Sequence, residues 1–491
     1  MSDQWSPDPG AFPPTPSSVP TGFQTQPGQL APDGPPAFGS GPALPPSPPP
    51  QRRRPQQTTR NLLIAVSVLT VLLLVATVAL VAVVRSDDGD LATATPPVTA
   101  ATSTTRTPAG NPSTTAPSSS TPPSTVDPTP PGPAPTQEEL DAEIAELSDF
   151  VERERGLEFL APVEVTMANE ATFDQLLFAD FDAEAEARQG TARILKALGL
   201  VDADLDIDET LRRLLSGGVL GFYDPETDQL VIRGQAITPY IRQTLVHELV
   251  HALDDQNFEL NRPEYDDLDD ETSFGFSAVL EGNARRIDAA FVDAMSLADQ
   301  GRRDTEEQEF AAATQPLLVG IPLILLKLLQ APYEHGQLFV DNLLDLGGQA
   351  LLDAAIDEPA TTSTQILHVE RFLEGVGALP VDPPAADGEV LDDGIFGELM
   401  TQYTLEDSED LSVATNAASG WAGDWFVTWE DGEDSTCIRI AYEMETAADL
   451  DELQDAYTSW AEPRGATVER IGDDRVEVTS CSATAAASSP L

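Results

Sequence analysis

Lysine is almost missing from this chain: Lys196 and Lys327 are the only two in 491 residues. Histidine occurs four times and cysteine twice. Lysine and arginine together number 26 against 83 aspartates and glutamates, a formal net charge of −57. A surface of that sign repels phosphate, which argues against nucleic acid and anionic lipid as partners. Arginine in place of lysine, with abundant Ala, Asp and Glu, is the composition of a GC-rich bacterial genome. What is plentiful is proline, with 42 residues crowded toward the first 136. The folded part is therefore shorter than the chain.

Residues 1–60 are proline-rich and short of apolar side chains, so they cannot bury enough surface to offset chain entropy. Disorder is expected there. The run Leu62–Val84 holds no charge and is long enough to cross a hydrocarbon layer of roughly 30 Å. Arg52, Arg53, Arg54 and Arg60 precede it, and Asp87, Asp88 and Asp90 follow it. The positive-inside rule then places a single transmembrane helix at 61–85, the N-terminus in the cytoplasm and the rest outside a bacterial cell membrane. A cleaved signal peptide is the competing reading, but the run is too long and the polar region before it too extended. Residues 86–136, rich in Ser, Thr and Pro, read as an extended stalk. From Thr136-Gln-Glu-Glu onward the pattern is mixed α and β, an α+β fold. A main part is expected at 137–410, a small α+β module at 411–482 and a loose tail at 483–491.

Two of the four histidines lie in His247-Glu248-Leu-Val-His251. On a helix that spacing sets both imidazoles on one face, one turn apart, where they can share a zinc ion. Glu248 then points to the open coordination position and can take the proton of an attacking water. Thr238-Pro239 is a helix-start signal, and aliphatic residues on most sides predict a core helix. Just before it, Gly218–Tyr223 and Gln229–Arg233 flank a turn-rich segment and read as a β-hairpin. An edge strand beside the metal helix is a place where a peptide substrate can pair.

Two histidines leave a zinc site one protein ligand short. Glu281, in Leu280-Glu281-Gly282-Asn-Ala284, is the favoured third ligand because its neighbours predict burial. Glu264, Glu271 and Asp288 are rivals. Small residues at 282 and 284 would let this helix approach the first closely. The two motifs together resemble the gluzincin branch of the zincin metallopeptidases. That resemblance spans roughly residues 160–380, and only the two motifs in it are sharp. It implies zinc held by His247, His251 and Glu281, with Glu248 as general base. The thermolysin-like pattern has an aspartate four residues after the glutamate, where this chain has Arg285. Asp255, on the face of 247 and 251, is the candidate for the supporting carboxylate.

Leu317–Leu329 is strongly apolar, but Gly320, Pro322 and Lys327 interrupt it, so a buried helix or cleft wall is expected rather than a second span. His368, Tyr333 and His335 are candidate donors to the oxyanion of a peptidase. Cys437 and Cys481, both outside the membrane, predict one disulfide. These observations lead to an outward-facing, membrane-anchored zinc metallopeptidase acting on a peptide or protein. A non-catalytic surface protein on a degenerate peptidase fold and a zinc hydrolase of another bond are the rivals.

Overall fold

Thr136 starts the first described helix, α1 (Gln137–Arg155), through a capping box: its hydroxyl accepts from Glu139 N–H, and the Glu139 carboxylate accepts from Thr136 N–H. Leu140, Ile144, Leu147 and Val151 recur at helical spacing and are buried. This computed structural model describes residues 135–482 apart from 180, 263, 264, 266–269, 433 and 434. The expected cytoplasmic segment, the span at 61–85, the stalk as far as 134 and the tail lie outside the described residues. Among the described residues no helix is long and apolar enough to cross a membrane.

The fold is α+β. A three-stranded sheet has β1 (Glu164–Ala168) parallel to β3 (Gln229–Arg233), and β2 (Gly221–Asp224) antiparallel to β3, in the order β1-β3-β2. The expected hairpin is thus β2–β3. Between β1 and β2 come α2 (Glu170–Leu177), α3 (Ala185–Ala197) and α4 (Ile207–Gly218). After β3 the chain enters α5 (Pro239–Phe258), α6 (Asp270–Ala294), α7 (Leu297–Thr314) and α8 (Leu323–Gly347). Shorter helices follow: α9 (Gln349–Asp357), α10 (Ser363–Leu367) and α11 (Val369–Glu374).

α5 carries the histidine motif. Thr238 caps it by accepting from Ile241 N–H, and Pro239 takes the first turn, where no amide donor is needed. Its residues from Thr244 to Asp255 are all buried, so it is a core helix on every side. Leu245, Val246, Leu249 and Leu253 pack with α1, with β3 and with Ala284 and Ile287 of α6. The apolar run 317–329 is divided: a 3-10 turn covers Gln315–Leu318, and α8 begins after Pro322. Gly320, at φ +77°, separates the two segments, and Pro322 stands at the start of α8, where its missing N–H costs nothing.

Gly282 does not serve the approach to α5 that its place beside Glu281 suggests. A Cβ there would lie 2.2 Å from Gly336 O on α8, and one on Gly336 would lie 2.0 Å from Ala278 O on α6. Glu281 faces α5, so its successor, about 100° further round the helix, faces α8 instead.

The second sheet is antiparallel throughout. It contains β4 (Val390–Gly394), β5 (Trp421–Glu430), β6 (Thr436–Met444), β7 (Thr467–Ile471) and β8 (Arg475–Cys481), in the order β4-β5-β6-β8-β7. With it go α12 (Glu398–Leu405), α13 (Leu411–Ala418) and α14 (Ala447–Ala461). The sheet begins at β4, upstream of the expected boundary at 411. It also shares its core with α3: Ile194 and Leu198 join Tyr442, Tyr457 and Trp460. Ser480 Oγ donates to Ala197 O at 2.7 Å, and Arg193 makes a bidentate pair with Asp392. Cys437 and Cys481 stand opposite each other on β6 and β8 and are disulfide-bonded.

Candidate metal centre

Helix geometry brings the two histidines of α5 together, and the α5–α6 packing adds Glu281. His247 Nε2 and His251 Nε2 are 3.3 Å apart. Glu281 Oε2 is 3.1 Å from His247 Nε2, and its Oε1 is 3.4 Å from His251 Nε2. Ligand atoms of a tetrahedral zinc, with bonds of about 2.0–2.1 Å, stand roughly 3.3–3.4 Å apart. The two imidazole nitrogens stand at that spacing, and each has a different Glu281 oxygen beside it, Oε2 at His247 and Oε1 at His251. His247, His251 and Glu281 form a group of potential ligands all within 4.8 Å of one another.

Unpaired atoms support the fit. Both carboxylate oxygens of Glu248 are buried with no side-chain hydrogen-bond partner, and only the Tyr223 backbone acts on them. A buried carboxylate left alone is costly, and a cation removes the cost. Burial pushes Glu248 up to about 7, against the lowering charges of His247 and His251. Burial alone would lower His247, but hydrogen bonds to Asp288 and Glu281 and the charges of Glu281 and Glu248 raise it to about 10. For Glu281 burial acts upward, and the charge of His251 with hydrogen bonds from both histidines holds the group below its ordinary value. A cavity charged in this way attracts a proton or a metal ion.

The carboxylate that orients the site is Asp288, not Asp255. His247 Nδ1 lies 3.0 Å from Asp288 Oδ2. Gln243 Nε2 donates to Asp288 Oδ1, and Arg303 Nε donates to Gln243 Oε1. This chain of donors makes Asp288 the acceptor for His247 Nδ1–H, so Nε2 is the ring atom turned toward the cluster. Asp255 is taken elsewhere: it accepts from Tyr223 Oη at 2.7 Å and from Leu260 N–H. It ties β2 to α5. The expectation for Asp255 rested on its helical face, and the tyrosine claimed that face. Asp288 had a signal in the sequence, since it lies two helical turns beyond Glu281 on α6 and so on the same side.

β2 borders the motif closely. A Cβ on Gly221 would meet Thr244 Cγ2 at 3.0 Å and Glu248 Cγ at 3.4 Å, so glycine permits the contact. Tyr333 of α8 stacks on His247 with centroids 6.2 Å apart and planes at 24°. His335 is not in the cluster: its Nε2 is 3.3 Å from Tyr403 Oη, and burial lowers its pKa. His368 pairs with Glu398 at 2.8 Å, well apart from the three donors in its contacts. Glu271, a rival third ligand, accepts instead from the Ser363 amide and hydroxyl. Glu264 lies outside the described residues. His247, Glu248 and His251 are each 1 % exposed and Glu281 is fully buried.

In comparison with known proteins, residues 388–487 match a family described as a domain of unknown function, DUF8575. That stretch is the second sheet with its helices and does not include His247, His251 or Glu281. No curated protein and no solved structure is significantly similar to the chain.

Proposed function

We propose that the chain is a zinc-dependent metallopeptidase, anchored by residues 61–85 with its catalytic part outside a bacterial cell. One observation carries the reading: two imidazole nitrogens at the spacing of zinc ligands and the Glu281 carboxylate converge beside a second buried glutamate, Glu248, whose oxygens have no side-chain partner. A structural zinc site is closed by four protein ligands, whereas a catalytic one keeps a position open. Among the described residues this cluster offers three.

A zinc ion held by His247, His251 and Glu281 supplies Lewis acidity toward a peptide carbonyl and toward water. Glu248 takes the proton of the attacking water and returns it to the leaving amine. A carboxylate pushed up toward 7 is suited to both directions of transfer. Asp288 holds the His247 ring in the tautomer that presents Nε2. Tyr333 contacts the motif by stacking on that ring, whereas His335 pairs with Tyr403 and His368 with Glu398.

The burial of the site favours a second reading, a metal centre that only holds the fold. Substrate entry requires the walls around α5 to part. One set of measurements separates the two. Full-length protein is assayed for zinc and for casein or peptide hydrolysis, with and without chelator. In parallel, Glu248→Gln is assayed on the same footing. The peptidase reading expects about one zinc per chain. It expects Glu248→Gln to keep the metal and the thermal midpoint while hydrolysis falls by about 10²–10⁴-fold or more. Hydrolysis at the parent rate with zinc in place would end it. Loss of stability with no hydrolysis in the parent would favour the structural centre.

A further inference from the structure

The far edge of the first sheet, away from β2, is open. β1 pairs with β3 on one side, and among the described residues no strand lies on its other side. The Ala168 carbonyl accepts from Gly234 N–H at 2.8 Å, on the β3 side. Backbone groups alternate sides along an extended strand, so those of Val165 and Met167 face outward. β1 has no proline, no lysine and no register shift, although it is short and carries the exposed Glu164.

A groove of about 770 Å³ runs along this edge between β1 and α1. Leu140 and Ile144 of α1 and Val163 and Val165 on the strand side make its lining apolar. A smaller cleft of about 340 Å³ shares Leu140 and Val165 with it and extends past Met167. The charged residues of the groove are all acidic: the exposed Asp141, Asp149 and Glu164 stand along it with Glu152, and no Lys, Arg or His lines either cavity. Glu152 is partly used, since it accepts from Phe159 N–H.

We infer that this groove is a binding site separate from the metal centre, and that it takes an extended, basic segment of a partner protein as a strand added to β1. The free amides and carbonyls of Val165 and Met167 supply the ladder. Side chains of an added strand alternate, so one set meets the apolar lining and the other meets the carboxylates. The fitting chemistry is therefore alternating apolar and basic, without proline at the pairing positions. β1 and β2 are opposite edges of the sheet, so a guest here leaves the metal side free. The inference does not depend on the peptidase reading.

The test measures fluorescence polarisation of a labelled alternating Val–Lys peptide on full-length protein carrying Glu248→Gln, so that hydrolysis does not intrude. Saturable binding is expected. It should be weaker by roughly tenfold or more for the Val–Glu counterpart, and weaker with added salt. Prolines at the pairing positions of the Val–Lys peptide should abolish it. Bound peptide should slow hydrogen exchange at Val165 and Met167. Asp141→Lys with Asp149→Lys, both on exposed positions of α1, should remove the preference for Val–Lys. Equal affinity of the two charge forms, unchanged exchange at β1, or full binding by the double variant would overturn the inference and leave only non-specific attraction to an acidic protein. The stalk is another candidate occupant, with Arg106 as its sole basic residue between 86 and 134. Tighter peptide binding by Arg106→Glu would show that the stalk competes for the groove and would overturn the assignment to a partner.

Discussion

Asp288 is where a single residue can be asked what it does. It touches no potential metal position, yet it fixes the ring that does. Asp288→Asn keeps the shape but can present an N–H where His247 Nδ1–H needs an acceptor. Zinc affinity should fall by about 10–100-fold, the usual effect of losing such a partner. Competition against a chromophoric chelator measures it, and an unchanged affinity would remove the orienting role. His368 gives a prediction of a different kind. Its hydrogen bond to Glu398 raises its pKa above 6.5, outweighing the burial that lowers it. The folded state therefore holds this proton better than the unfolded chain does. The stabilisation is whole below pH 6.5 and is lost as pH climbs through the raised folded value. Denaturation midpoints of His368→Gln should converge on those of the parent at alkaline pH and fall below them in acid. A constant gap across pH would show that the charge plays no part.

The α6–α8 crossing is the element on which the position of Glu281, the proposed third ligand, depends. Gly282 follows Glu281 directly, and it lets Gly336 O approach to a distance that no Cβ can accept. Gly282→Ala must push the helices apart or rotate α6. Overpacking of this sort costs roughly 1–3 kcal/mol. Because Glu281 rides on the same helix, metal affinity should drop together with stability. Gly301→Ala, on α7 with nothing within 4 Å of the added Cβ, is the control: it should leave metal affinity unchanged and raise stability by roughly 0.5–1 kcal/mol through helix propensity. If Gly282→Ala unfolds more easily but binds zinc as before, then Glu281 is positioned by its contacts with α5 alone. The HExxH helix was legible because its spacing is a property of one element. The role of Gly282 was not, because it depends on which helix lies on the other side of α6.

For the whole molecule the question is whether the two sheets belong to one folding unit. The core around Trp460 and Tyr457 includes Ile194 and Leu198, so the second sheet is not closed without α3. A single calorimetric transition is expected for the folded region. The disulfide between Cys437 and Cys481 spans 44 residues of sequence. On the chain-entropy account, it should contribute roughly 3–4 kcal/mol. Reduction should lower the denaturant midpoint by that order while zinc content holds until unfolding begins. Zinc released by reductant under native conditions, with the fold intact, would contradict this and would link the second sheet to the metal centre.

By itself the sequence determined whatever is decided within one element or by composition. It settled the mixed α and β character, the capped helix with two histidines one turn apart, the hairpin before it and the pairing of the only two cysteines. These follow from helix and strand periods, from turn chemistry and from counting. Tertiary structure decided which elements face one another. It set Glu281 against both imidazoles, chose Asp288 over Asp255 as the partner of His247, turned Gly282 toward α8 and carried the second core across to α3. It also left β1 with an open edge beside an acidic, apolar-lined groove. Each of these joins residues on different elements, and such a contact is fixed by the packing of apolar faces rather than by any local spacing.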